Sequence, residues 1–271
     1  MSAIADLIVQ LQTRPAVLVS VHGTRGSVPR EAGAWMAVFG DTVVDTIGGG
    51  RLELDALAHA RAMLGAAGAG SEAQTLLYRL GPGLGQCCGG EVQLRYEVVT
   101  VADAPALRSR LCTHYPPLAL FGGGHVGRAL VQLLSTLSMS IHWIDSRDEI
   151  FPKSVPDMVH AEHSDPVQAA VPGLVGGSKV LIMSFSHAED LDIVAACLLR
   201  QRERGDLPYI GLIGSKTKWA SFRSRLQARG FSDIELDRVT CPIGIPGIAD
   251  KRPEAIAIAV AAQLLLLQKT A

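Results

Sequence analysis

The amino-acid sequence predicts an α/β protein in two parts, a mixed α/β domain over residues 1–113 and a parallel-sheet domain over 114–271. The second part rests on one stretch. Leu118 to Phe121 is an apolar run of strand length, Gly122-Gly123-Gly124 forms a turn, and Ala129, Leu130, Leu133, Leu134 and Leu137 then make one helical stripe. Gly122, Gly124 and Gly127 fall as G-x-G-x-x-G. At that spacing a missing Cβ permits a tight turn, close approach of a ligand to the backbone, and close helix-to-strand packing. A second apolar run, Ile141 to Ile144, ends at Asp145, where a nucleotide-binding βαβ unit places its ribose-binding acid. Together these features predict a Rossmann-like domain, whose helix start near His125 is either an anion seat or part of a βαβ crossover that binds nothing. His114-Tyr115-Pro116-Pro117 interrupts the preceding pattern and marks the domain boundary.

In the first domain, Ile4, Leu7, Ile8 and Leu11 share a helical face that stops before Pro15, and Ala16 to Val21 reads as a strand. The loop after it carries Arg25 and Arg30, whose planar forks suit a phosphate or carboxylate; a solvated surface loop is the alternative. Strands are expected near 35–39 and 42–46. Gly48-Gly49-Gly50 then feeds an amphipathic helix containing Leu54, Leu57, Ala58, Arg61 and Leu64, so Gly49 and Gly50 are a second candidate anion seat or a turn needing positive φ. Strands at 75–80 and 91–100 flank Gly85-Gln86-Cys87-Cys88-Gly89-Gly90. Adjacent cysteines sit about 3.8 Å apart at Cα, too close for an ordinary disulfide, so Cys87 and Cys88 read as reactive thiols or as small buried residues. A short helix to about Leu111 completes the domain.

Beyond Asp145, Arg147 suits a ligand phosphate or a pairing with Asp148. Val180 to Ser184 is a buried strand, Ser186 caps the helix that follows, and His187 sits at the strand's carboxyl end, where open α/β sheets bind ligands. Pro208 to Ile213 is another strand. Gly214-Ser215-Lys216 opens a helix with Trp219, Phe222 and Leu226 on its apolar stripe, a third anion seat that lacks the phosphate-loop pattern of nucleotide hydrolases. Cys241 precedes Pro242 in a loop, either facing the ligand crevice or making a turn, and Pro253 starts a terminal helix that packs Ile256, Val260 and Leu264.

With 25 basic and 26 acidic residues the chain shows no charge excess that would favour nucleic acid or an anionic membrane. Five cysteines without a regular framework fit a reducing compartment, and the start of the chain lacks the basic region of a signal peptide. The apolar run from Ile256 to Leu267 is too short to span a bilayer, so a cytoplasmic protein is expected.

Six motifs in order resemble the xanthine dehydrogenase accessory factor family, of the XdhC/CoxI type. They are Thr24-x-Gly26-Ser27-x-Pro29-Arg30-x-x-Gly33, Ile47-Gly48-Gly49-Gly50-x-Leu52-Glu53, Gly85-Gln86-Cys87-Cys88-Gly89-Gly90, the Gly122 to Gly127 turn, Gly211-x-Ile213-Gly214-Ser215-Lys216, and Cys241-Pro242-Ile243-Gly244. The family places threonine or serine before the proline of the last helix, where this chain has Arg252. The resemblance implies a chaperone, rather than an enzyme, that binds the molybdenum cofactor. It would shield the cofactor while a cysteine desulfurase replaces an oxo ligand with sulfide, then deliver it to apo-xanthine dehydrogenase or a related molybdenum hydroxylase. A homodimer is expected on the same ground. Phosphate would meet Gly122, Gly124, His125, Gly127, Ser215, Lys216, Arg30, Gly49 or Gly50. The pterin would meet Asp145 and His187 with Gln86 nearby, and Cys87 or Cys88 would touch the metal or relay sulfur. This reading expects glycine turns of both halves to share a crevice. The rival readings are an NAD(P)-dependent oxidoreductase, for which no separate hydride-transfer constellation stands out, and a redox or metal protein centred on Cys87 and Cys88.

Overall fold

A computed structural model describes residues 3–66, 72–81, 89–111, 117–137 and 139–267. It divides into two units, Met1–Thr113 and His114–Ala271.

The first unit is built on an antiparallel sheet. Its strands are β1 (Ala16–Arg25), β2 (Trp35–Val38), β3 (Val43–Asp45), β4 (Gln74–Arg79) and β5 (Glu91–Val99), in spatial order β3-β2-β1-β5-β4. Strand β1 is central and reads as a continuous apolar run because both its faces are covered. Val17, Val19 and Val21 pack with Leu52, Ala56 and Ala60 of helix α2 (Gly50–Ala66). Ala16 and Leu18 point the other way, onto Leu7, Ile8 and Leu11 of α1 (Ala3–Leu11) and Leu107 and Leu111 of α3 (Ala104–Leu111). The β1–β5 pairing runs from Ala16↔Val99 to Arg25↔Glu91, with one register shift between Val21 and Gly23.

The second unit is a parallel sheet of β6 (Leu118–Phe121), β7 (Ile141–Asp145), β8 (Val159–His163), β9 (Lys179–Ile182), β10 (Tyr209–Leu212) and β11 (Val239–Thr240). Its order is β11-β10-β9-β6-β7-β8, so the progression reverses between β6 and β9. That reversal is the switch point outside which open α/β sheets bind ligands. Leu118, Leu120 and Trp143 pack on Leu130, Val131 and Leu134 of α4 (His125–Thr136) and on Val260 and Leu264 of α8 (Pro253–Leu266). The opposite face puts Ala119, Phe121, Ile144 and Ile182 against α5 (His187–Arg204), α6 (Lys216–Ala228) and a 3-10 turn at Val167–Gly173. Helix α7 (Asp233–Leu236) is a single turn with a Ser232/Glu235 capping box. The architecture is therefore an antiparallel α/β unit followed by a Rossmann-type parallel sheet.

Two strands lie where the sequence pattern predicts none. Strand β8 reads Val-His-Ala-Glu-His, with three titratable residues among five, and it is the sheet's edge, so one apolar face suffices. Strand β11 is only two residues long. At Arg252, the residue that departs from the family pattern, helix α8 starts on Pro253 with no side-chain cap, and the Arg252 guanidinium turns back to Asp250 at 2.6 and 2.8 Å.

Candidate functional site

The glycine turn after β6 shows why each glycine is needed. Gly122 has φ 127°, and a Cβ there would lie 2.0 Å from the Met183 carbonyl oxygen at the end of β9. A Cβ at Gly127 would lie 2.0 Å from the Gly122 carbonyl oxygen, so α4 reaches the strand only without a side chain. The buried Trp143 indole donates to that same carbonyl at 3.0 Å, which ties strand β7 to the turn. Gly124 differs. Nothing lies within 4 Å of its Cβ position, and it is the N-cap of α4 with no side-chain cap. No side chain caps the first amides of this helix, which is one requirement for an anion seat.

The other two helix starts at this end of the sheet are already capped. Ser186 accepts from the Glu189 amide at 3.2 Å, and Ser215 accepts from the Lys218 amide at 3.1 Å. Ser215 and Lys216 are exposed, as are His125 and His187, and the His187 ring sits edge-on to Phe222.

Asp145 ends β7 and is 1% exposed. Its Oδ2 accepts from the Gly123 amide at 2.6 Å and from Arg147 Nη2 at 2.9 Å, while Oδ1 accepts from the Arg147 amide and Nε, each at 2.9 Å. Burial pushes this carboxyl up, but the hydrogen bonds from Arg147 and the Gly123 amide outweigh it and hold the group below the usual carboxylate range. A carboxylate has about four acceptor positions, and here four donors take them. A ligand therefore meets Arg147 or the glycine turn before it meets Asp145. Arg147 itself lies over the Phe185 ring at 4.4 Å, and Phe185 is 66% exposed. The pair makes a flat shelf beyond β9, with the guanidinium charge balanced by Asp145. Glu189 braces it, accepting from Ser146 Oγ at 2.7 Å and from the Phe185 amide at 3.2 Å.

Beside the switch point lies a buried charge pair that the sequence reading does not single out. Lys218 Nζ donates to Asp190 Oδ2 at 2.6 Å and to the Ile213 carbonyl at 2.9 Å, and Asp190 Oδ1 accepts from the Ser184 amide and hydroxyl, both at 2.8 Å. The side chains are 11% and 3% exposed. A signal for it exists: Lys218 is one helical turn from Phe222 and two from Leu226, so it shares their buried stripe. Cys241 closes this side. A Cβ on Gly214 would be 3.4 Å from its Sγ, and burial, offset in part by Lys218 and reinforced by Asp190, pushes the thiol up to about 11.

In the first unit, three sequence motifs converge. A Cβ at Gly48 would strike Pro29 at 2.5 Å and meet Arg30 Cγ at 3.1 Å; one at Gly90 would strike the carbonyls of Arg25 and Ser27 at 2.5 Å. The Arg25–Arg30 loop thus lies against both glycine segments, with Arg30 exposed. The turn at Gly49 holds an anion of its own. Glu53 Oε2 accepts from the amides of Ile47 at 3.0 Å and Gly49 at 3.1 Å, and from the Thr46 hydroxyl, leaving Gly50 to begin α2. Gln86, Cys87 and Cys88 lie outside the described residues.

No helix among the described residues is long and apolar enough to cross a membrane. A curated relative, the uncharacterized protein YqeB of Escherichia coli (strain K12), is 25% identical over 267 residues, which cover 96% of this chain and 45% of that protein. The chain thus spans less than half of that relative. A crystal structure described as a xanthine dehydrogenase from Bacillus halodurans superposes with a TM-score of 0.77 at 22% identity, covering 100% of this chain and 96% of that one, which establishes the shared fold. The XdhC Rossmann domain family matches residues 118–264, the whole parallel sheet, and the XdhC and CoxI family matches residues 9–78 of the antiparallel unit. With both units matched, this chain belongs to the XdhC and CoxI family.

Proposed function

We propose that this protein acts in the maturation of xanthine dehydrogenase or a related molybdenum hydroxylase, as a chaperone that binds the molybdenum cofactor. The observation that carries the reading is the open α4 start at Gly124 beside the Arg147/Phe185 shelf. A phosphorylated pterin fits that pair of features: the terminal phosphate on the uncapped amides, the flat heterocycle on the ring and guanidinium. The bound group would supply a metal-dithiolene centre whose terminal ligand is exchanged. This chain's own residues hold and orient it. Cys87 and Cys88 are proposed as metal-touching or sulfur-relaying thiols. His125, His187, Ser215 and Lys216 offer donors at the rim. Arg30, against Gly48, and Gly50 at the start of α2 are proposed as further cofactor contacts in the first unit.

The oxidoreductase alternative is weaker on one specific point. The acid that would receive ribose hydroxyls, Asp145, has its oxygens occupied by Gly123 and Arg147. A cysteine desulfurase partner, pairing of two chains and a cytoplasmic location belong to the same proposal.

The test is transfer. Cofactor released from a molybdenum hydroxylase is mixed with the purified protein, isolated by gel filtration, and offered to apo-xanthine dehydrogenase. Recovery of activity above that given by free cofactor supports the proposal. Equal recovery with and without the protein ends it. A C87S/C88S double variant is expected to fold and to lose sulfuration or retention.

A further inference from the structure

We infer that His142, His160 and Glu162 form a site for a first-row divalent cation of the zinc type, on the sheet face at the β7–β8 edge. Strand register assembles it. His142 pairs with His160 across the parallel strands, and Glu162 lies two residues further along β8, so all three side chains leave the same face. One ligand atom from each lies within 4.8 Å of the others. His142 Nε2 and Glu162 Oε2 are 2.6 Å apart, and the two imidazole rings stand 5.0 Å apart at their centroids.

Two imidazoles and a carboxylate are the ligand set of zinc sites that keep an open fourth position, with metal–ligand distances near 2.0–2.2 Å. Around a tetrahedral ion, such distances put ligand atoms about 3.3 Å apart, so closing the site needs only small side-chain rotations. The cation takes the place of the hydrogen between His142 Nε2 and Glu162, and the neutral imidazole then carries its one N–H on Nδ1. A bare His–Glu hydrogen bond accounts for two of the residues and leaves His160 out, since its ring nitrogens make no hydrogen bond among the described residues. The cation gives all three a role. Access is available: His160 is exposed, and the side chains of His142 and Glu162 are 24% and 35% exposed. Because β8 is an edge strand, the ion would clip it to β7, the strand that ends at Asp145.

The test uses the untagged full chain, stripped with chelator and titrated with Zn²⁺ by calorimetry and with Co²⁺ by visible absorption. The expected result is one equivalent whose binding is lost with the His142, His160 and Glu162 ligands. His160→Ala and Glu162→Gln, both on the exposed edge, each weaken binding by at least ~10-fold with circular dichroism unchanged. Absence of Zn²⁺ binding, or unchanged affinity in both variants, would overturn the proposal.

Discussion

Gly124 and Gly127 are three residues apart and make opposite predictions. A methyl group at Gly127 meets the Gly122 carbonyl at 2.0 Å, so Gly127→Ala is expected to cost about 1–3 kcal/mol, read as a lower midpoint in urea unfolding. At Gly124 the space is open and φ is −68°, so Gly124→Ala is expected to be neutral or stabilising by up to ~1 kcal/mol. Equal losses in the two variants would mean that the space at Gly124 is not there. Cys241 carries a second prediction at this scale. Burial raises its thiol to about 11, so it is protonated at neutral pH and thiolate forms only as alkaline pH approaches that value. Iodoacetamide labelling, followed peptide by peptide in a mass spectrometer, should therefore be slower at Cys241 than in an unfolded control at neutral pH. Labelling at the control rate would contradict the placement.

At the scale of elements, the ends of β9 and β10 are joined by the Lys218–Asp190 pair. Removing one partner of a buried pair leaves the other charge uncompensated, so Lys218→Met should destabilise the second unit by about 3–5 kcal/mol. A change below 1 kcal/mol in urea unfolding would show the pair to be solvated. Asp145 does the same for β6 and β7, with a sign that pH reveals. Its carboxyl is lowered in the fold, so its contribution is present above the ordinary carboxylate range and is lost as pH falls through the folded value. Asp145→Asn should lower stability at neutral pH and narrow the gap to wild type on acidification; a gap that stays constant down to the acid transition would refute the assignment.

These elements also show what was legible in the sequence and what was not. The β6–α4 turn was legible because backbone sterics permit only glycine at Gly122 and Gly127, so composition and geometry coincide. Asp145 was legible in place but not in partners, since local sequence does not show that Gly123 and Arg147 use all its acceptor positions. Lys218 was hidden by its charge although its helical spacing put it on the buried face. Strand β8 was hidden because an edge strand needs few apolar residues, and with it went His160 and Glu162.

At the scale of the molecule, the described residues of six motifs spread along the chain settle into two sets, one within each unit. In the first, Arg25–Arg30, Gly48 and Gly90 pack together; in the second, Gly122–Gly127, Gly214–Ser215 and Cys241 line the carboxyl ends of the parallel strands. Family membership assigns both units to one line of proteins, and the ligand proposed for the second unit rests on its uncapped helix start. The proposed function requires this helix start to receive the phosphate of a molybdenum-bearing pterin. The most direct measurement is equilibrium binding of released cofactor, followed by the fluorescence of its oxidised pterin after gel filtration. It would be run on wild type and on Gly124→Val, with NADH titrated in parallel. Wild type is expected to retain about one equivalent of cofactor, the variant to retain it at least ~10-fold more weakly, and neither to bind NADH tightly. Stoichiometric NADH binding without cofactor retention, or full retention by Gly124→Val, would contradict the proposed function.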